Sequence, residues 1–390
     1  MLKKLNRCDI YVGLWCLYML QGVIYSKGII NQSLQLVMLL WGLIISVNFF
    51  KFKMPPILKS TLLLLGMYIL YGCLNLIFNE GIEKVPNYLY LQNSLNSLIP
   101  ILLFYYFTKN KWLTSNRIRI YLPFFIIICI LLYYKNATTV LEDSNKEEIT
   151  NNVGYMFTSL IPLLLFYSKK TLLQYSLLII IVLFIFMGMK RGAILIGVGC
   201  IIILFYANYR NSSKWSKLFI VFLFVMAIVA IIYFINYMMN NSAYFALRVE
   251  QSLDGNTSGR DFIYSNLWNA LISETNIFYF FFGRGANSTI NIIGYFAHQD
   301  WLETFCNNGL LGVFILFRFF YVFGKSVWLS KKYFPVMMFF SFLILFFASF
   351  SKTMFSMSIQ NLNICQSLLL GYFTYWLSQA FQKKKISEMD

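Results

Sequence analysis

Residues 177–206 read LLIIIVLFIFMGMKRGAILIGVGCIIILFY, and Lys190 and Arg191 are the only charged positions among them. About 20 consecutive apolar residues cross a bilayer as one helix. This run is too long for one crossing and its charge pair falls near the middle. It therefore reads as two membrane spans, 172–189 and 192–208, joined by a tight turn at Lys190-Arg191.

The same pattern extends in both directions. Ten further apolar segments carry few or no charges: 9–25, 29–50, 57–78, 87–107, 118–134, 152–168, 218–239, 302–323, 335–351 and 357–377. The whole chain is 390 residues long, 59% hydrophobic and 12% charged, where soluble domains carry about 25% charge. The expected fold is all-α: a polytopic membrane helix bundle of about 12 transmembrane helices. Residues 1–390 read as a single membrane domain, with one large extracytoplasmic loop at 240–301 that contains short helices.

Basic residues are distributed asymmetrically. With the N-terminus cytoplasmic, the inside segments hold 21 of the 32 Lys and Arg, among them Lys109, Lys111, Arg117, Arg119, Lys331 and Lys332. Inside loops attract such an excess, so both termini are expected to be cytoplasmic. The net charge of +17 then lines a face apposed to anionic lipid headgroups, and nucleic acid is not an expected partner. Lys3, Lys4 and Arg7 precede the first apolar run without a small-residue cleavage site after it, so that run reads as a retained helix. The seven cysteines form no CxxC pair and mostly sit in apolar runs, as small hydrophobes do. With one histidine, no metal and no cofactor is expected.

Two outside loops stand out. The loop at 135–151 holds Glu142, Asp143, Glu147 and Glu148 and reads as a solvated acidic segment. The loop at 240–301 is the longest hydrophilic stretch, and long loops in compact proteins are commonly functional. Within it, Ser258 resembles a helix N-cap with Asp261 three residues on. Phe262, Ile263, Leu267, Trp268, Ala270 and Leu271 then fall mostly on one helical face, predicting a helix on the outer surface or packed over the bundle. Gly283-Arg284-Gly285 reads as a turn; its spacing is wrong for a dinucleotide or phosphate loop.

Three groups on the outer face can carry chemistry. Arg191 is costly at a membrane edge unless it meets an anion or water; its plain alternative is to mark the turn. Arg260 opens the proposed loop helix, where a planar guanidinium and the helix N-terminus both favour phosphate. Its alternative is pairing with Glu250, Asp254 or Asp261. His298 is the only histidine and titrates near neutrality; Asp300 and Glu303 are close enough in sequence to orient it, and Trp301 suits a headgroup level.

Three stretches of the chain resemble the superfamily of O-antigen ligases and O-antigen (capsule) polymerases, polytopic glycosyltransferases of the bacterial envelope. They are Lys190-Arg191-Gly192-Ala193; Ser258-Gly259-Arg260 with Trp268; and Gly283-Arg284-Gly285 leading to Ala297-His298-Gln299-Asp300-Trp301-Leu302-Glu303 and Gly309-Leu310-Leu311-Gly312. Gln299 stands where the family more often has Asn, also a neutral amide. The resemblance covers roughly 152–323. It implies metal-independent transfer of a glycan from undecaprenyl pyrophosphate on the outer face of the bacterial cytoplasmic (inner) membrane. His298, Arg191 and Arg260 would be catalytic, with Lys190, Arg284, Asp300, Trp301 and Glu303 binding substrate. The polymerase branch, which joins repeat units, is favoured over ligation to lipid A–core, and a polysaccharide-unit flippase is the more remote alternative. Partners implied are the lipid-linked oligosaccharide, membrane lipids, a chain-length regulator and a flippase.

Overall fold

The computed structural model describes residues 5–24, 29–47, 54–78, 88–142, 152–188, 190–241, 246, 250, 260–273, 275–294, 296–297, 299–353 and 363–387. Every regular element among them is helical. In chain order they are α1 (Arg7–Ile24), α2 (Ile29–Val47), α3 (Pro56–Phe78), α4 (Leu89–Lys109), α5 (Ser115–Glu142), α6 (Val153–Leu164), α7 (Thr171–Met187), α8 (Arg191–Arg210), α9 (Lys214–Asn241), α10 (Arg260–Ile272), α11 (Ile277–Phe282), α12 (Ser288–Ile293), α13 (Asp300–Ser330), α14 (Val336–Ala348) and α15 (Asn363–Ser387). A 3-10 turn, Leu165–Tyr167, extends α6. The all-α membrane bundle is thus observed. Helices α3, α5, α8, α9 and α13 contain stretches long and apolar enough to cross a bilayer, and shorter apolar helices lie in α2, α6, α7 and α14.

The long apolar run divides where its charges predicted. Helix α7 ends at Met187, Lys190 takes an extended conformation (φ −93°, ψ 103°), and α8 begins at Arg191. Two expectations need correction. Helix α5 continues to Glu142, so the first part of the segment expected to be an acidic loop is helical. Glu147 and Glu148 lie outside the described residues. On α10, Phe262 and Trp268 are exposed, and the inward stripe is the buried Leu267 with the partly buried Ile263 and Leu271. That spacing of four keeps the stripe narrower than the six-residue face read from sequence. Ser258 lies outside the described residues.

Helix α6 is the hub. All of its residues are buried, and it packs against α5, α7, α8, α14 and α15. Apolar side chains gain nothing by leaving lipid for one another, so membrane helices associate through close packing, often at small residues. Gly371 of α15 shows this, since a Cβ there would lie 2.6 Å from the backbone nitrogen of Tyr105 on α4. Helix α9 is the opposite case: only Ile220 of its 28 residues is buried, and its main neighbour is α8.

On the side read as cytoplasmic, Asp9 pairs with Arg117 and accepts from the Tyr121 hydroxyl at 2.5 Å, joining α1 to α5. On the other side, α10, α11 and α12 build the described part of the large loop and lead into α13. The bundle therefore delivers the first turns of α6, α8, α10 and α13 to one region.

Candidate active site

Helix α13 is broken near its start, and the break organises the loop. Gly309 has φ +66° and ψ −163° inside the helix. In an unbroken helix the carbonyls of Cys306 and Asn307 would accept from Leu310 and Leu311. Here Cys306 O accepts from Arg284 N (2.9 Å) and Asn307 O from Gly285 N (3.1 Å). A Cβ on Gly283 would collide with the backbone of Asn307, and one on Gly309 with the backbone of Phe281 and Gly283. Both positions have positive φ, so glycine is required there for conformation and for space. The expected Gly283-Arg284-Gly285 turn is this dock, and Tyr71 of α3 fastens it through Phe282 O (2.5 Å).

Glu303, one turn into α13, is buried. It accepts from the Thr289 hydroxyl (2.6 Å), the Ala297 backbone nitrogen (2.8 Å) and the Asn307 amide (3.4 Å). The other end of Asn307 accepts from the nitrogen and hydroxyl of Ser288, both at 2.9 Å. Gln299 caps α13 by accepting from Leu302 N (2.6 Å). His298 lies outside the described residues. Its sequence neighbours are fixed: Ala297 by Glu303 and by a small core with Leu267 and Cys306, Gln299 by its cap. Trp301 packs its ring against Phe320 and Phe350.

Beneath this start lies a small polar cavity lined by Tyr68, Tyr90, Asp300, Glu303, Thr304, Asn307 and Asn308. The Tyr90 hydroxyl donates to Asn308 Oδ1 (3.0 Å), and Tyr68 hydrogen-bonds Thr304. The Asn308 Nδ2 has no partner among the described residues.

A second group of residues gathers at the start of α6. Tyr155 is buried, and its hydroxyl oxygen fills the place a Cβ on Gly192 would take, beside Arg191. The charges of Arg260 and Asp300 both act on this phenol, and Tyr264 is close by. On α10, burial pushes the Tyr264 phenol above its ordinary range, with Arg260 opposing and Asp261 reinforcing the rise. The positive N-terminal end of α8 lies here, and Arg260 is carried by α10. The first turn of α8, through Gly192, and Arg260 of α10 therefore meet at one tyrosine.

Residues 176–317 match the family model described as O-antigen ligase. Over that segment the chain is similar to the O-antigen ligase family. The matched segment runs from α7 into α13 and contains Lys190, Arg191, Arg260, Arg284, His298, Asp300, Trp301 and Glu303. Comparison with curated proteins gives no match. The matched segment lies within a chain whose helices α3, α5, α8, α9 and α13 are long and apolar enough to cross a membrane.

Of the residues singled out in the matched segment, the structure brings Arg260 and Asp300 within electrostatic reach of Tyr155, whose hydroxyl lies against Gly192, the residue after Arg191. Lys190 supplies the residue before α8. Arg284 stands apart: its Nη2 donates to Ala270 O (3.0 Å) and its guanidinium lies over the Tyr279 ring (5.9 Å), tying the end of α10 to the turn. Tyr155, Tyr68, Tyr90 and Asn308 were not found from sequence. The tyrosines carry no distinguishing signal among 27. The adjacent amides Asn307-Asn308 inside an apolar span did offer one, because polar groups there are costly and need partners.

Proposed function

We propose that the protein polymerises lipid-linked oligosaccharide repeat units. It moves a glycan from undecaprenyl pyrophosphate to the non-reducing end of another repeat unit, on the outer face of the cytoplasmic membrane. The observation that carries this reading is the meeting of the Arg191-Gly192 turn, Arg260 and Asp300 at Tyr155. Two guanidinium groups at two helix starts match a diphosphate, which offers only acceptor oxygens and negative charge.

The acceptor hydroxyl oxygen forms a bond to the anomeric carbon of the donor sugar. The bond from that carbon to the pyrophosphate oxygen breaks, and its electron pair leaves on the pyrophosphate. Arg191 and Arg260 stabilise that developing charge as preorganised cations. His298 takes the hydroxyl proton as general base. The asymmetry of Lys and Arg supports cytoplasmic termini and an extracytoplasmic site. A chain-length regulator and a flippase are the protein partners this activity calls for.

Ligation to lipid A–core is the second reading, favoured by the description of the matching family. The test uses purified protein, a synthetic undecaprenyl-pyrophosphate repeat unit, EDTA and no other enzyme. A ladder of longer lipid-linked glycans that disappears with His298→Ala is the expected result. Transfer only after lipid A–core is added would replace polymerase by ligase. Neither product across matched substrates would remove both and leave a flippase.

A further inference from the structure

Tyr155 is 1% exposed, and its hydroxyl oxygen has no hydrogen-bond partner among the described residues. A buried hydroxyl left unpaired forfeits the hydrogen bonds it had in water. Phenylalanine would fill the same space without that cost, so the oxygen asks for a partner that arrives from outside. Gly192 bears on the same point. Any side chain there would collide with this oxygen, so the chain has left room for a hydroxyl directly beside the first turn of α8.

The surroundings define the partner's chemistry. Arg191 precedes Gly192 at the start of α8, and Arg260 on α10 lies within electrostatic reach of the hydroxyl. Asp300 is the acidic group acting on the same oxygen, and Tyr264 is the neighbouring phenol. With Lys190 at the same turn, cations outnumber the carboxylate. An O–H in that setting can donate to an anion held by the two arginines, adding a short neutral donor to two charged ones.

We propose that the Tyr155 hydroxyl contacts the lipid-linked diphosphate, donating a hydrogen bond to a phosphate oxygen between Arg191 and Arg260. Gly192 keeps its place open. This rests on the diphosphate reading above and adds a substrate-contacting residue outside the matched segment 176–317.

The test measures the affinity of the full-length protein in detergent for undecaprenyl pyrophosphate, alongside thermal unfolding. Tyr155→Phe is expected to weaken binding about tenfold, the worth of one hydrogen bond to a charged group. Its melting temperature should be unchanged or higher, because no partner among the described residues loses a bond. Unchanged affinity would overturn the proposal, and an accompanying fall in melting temperature would assign the hydroxyl a partner within the protein. Gly192→Ala displaces the same oxygen, so it should weaken binding by itself and add little to Tyr155→Phe. Fully additive losses would overturn the shared place. Arg260→Ala separates the two levels of argument. If it loses affinity and Tyr155→Phe does not, only the tyrosine assignment fails; if neither does, the diphosphate reading fails with it.

Discussion

The surroundings of Glu303 and of Tyr155 are both buried, both polar and joined through Asp300, yet they are built on opposite terms. Glu303 is enclosed by donors from α12, the Ala297 backbone and its own helix. Tyr155 sits among helix starts and guanidinium groups with its hydroxyl unpaired among the described residues. A carboxylate held by three donors fixes the elements it joins, whereas a buried hydroxyl without a partner is costly unless something supplies one. We read the first as scaffold and the second as substrate-facing, whereas the family resemblance implied a catalytic Arg260 and a substrate-binding Glu303.

The largest effect that can break this contrast is at Arg260. Arg260→Ala should lower turnover by about 10²–10³-fold with unfolding unchanged, the usual loss for a group that stabilises transition-state charge. Arg260→Lys should also be severely impaired, since the planar fork is lost. Near-normal turnover of the lysine variant would make Arg260 a point charge or a structural residue. Next is Glu303→Ala, which strands three buried donors and should cost about 3 kcal/mol in thermal unfolding. A variant that keeps its melting temperature while losing transfer would move Glu303 across to the substrate side. The smallest effect is at Arg284. Arg284→Ala removes the bond to Ala270 O and should cost about 1 kcal/mol of stability, with diphosphate affinity intact. Weakened affinity would return Arg284 to the substrate-binding group that its sequence position first suggested.

The sequence was legible wherever burial or charge acts locally. The apolar runs carried the spans, and the Lys190-Arg191 pair marked the boundary between α7 and α8 because charge in hydrocarbon has few uses. Arg260 was legible as a cation on a loop helix because its chemistry is local too. The side of α10 that faces the bundle was less so: Phe262 and Trp268 are apolar yet exposed, and composition cannot tell a side chain covered by protein from one left outside it. The break at Gly309 depends on a turn 24 residues earlier whose N–H groups replace helical ones, a pairing with no trace in periodicity. Tyr155 was hidden for the same reason. Its meaning comes from Gly192, Arg260 and Asp300, which reach it only through the packing of four helices.

The shortness of α6 has a consequence for where the reaction runs. With its 3-10 turn the helix covers about 24 Å, while the hydrocarbon of a bilayer is about 30 Å thick. At least one end must stop short of the headgroups unless the membrane thins around it. If the recessed end is the one bearing Tyr155, the arginines act in a medium of low dielectric, where each attraction to a diphosphate is stronger than at an open surface. Water is scarce at such a depth. An activated sugar would be spared the molecule that competes most directly with an incoming sugar hydroxyl, and transfer would win over hydrolysis by position.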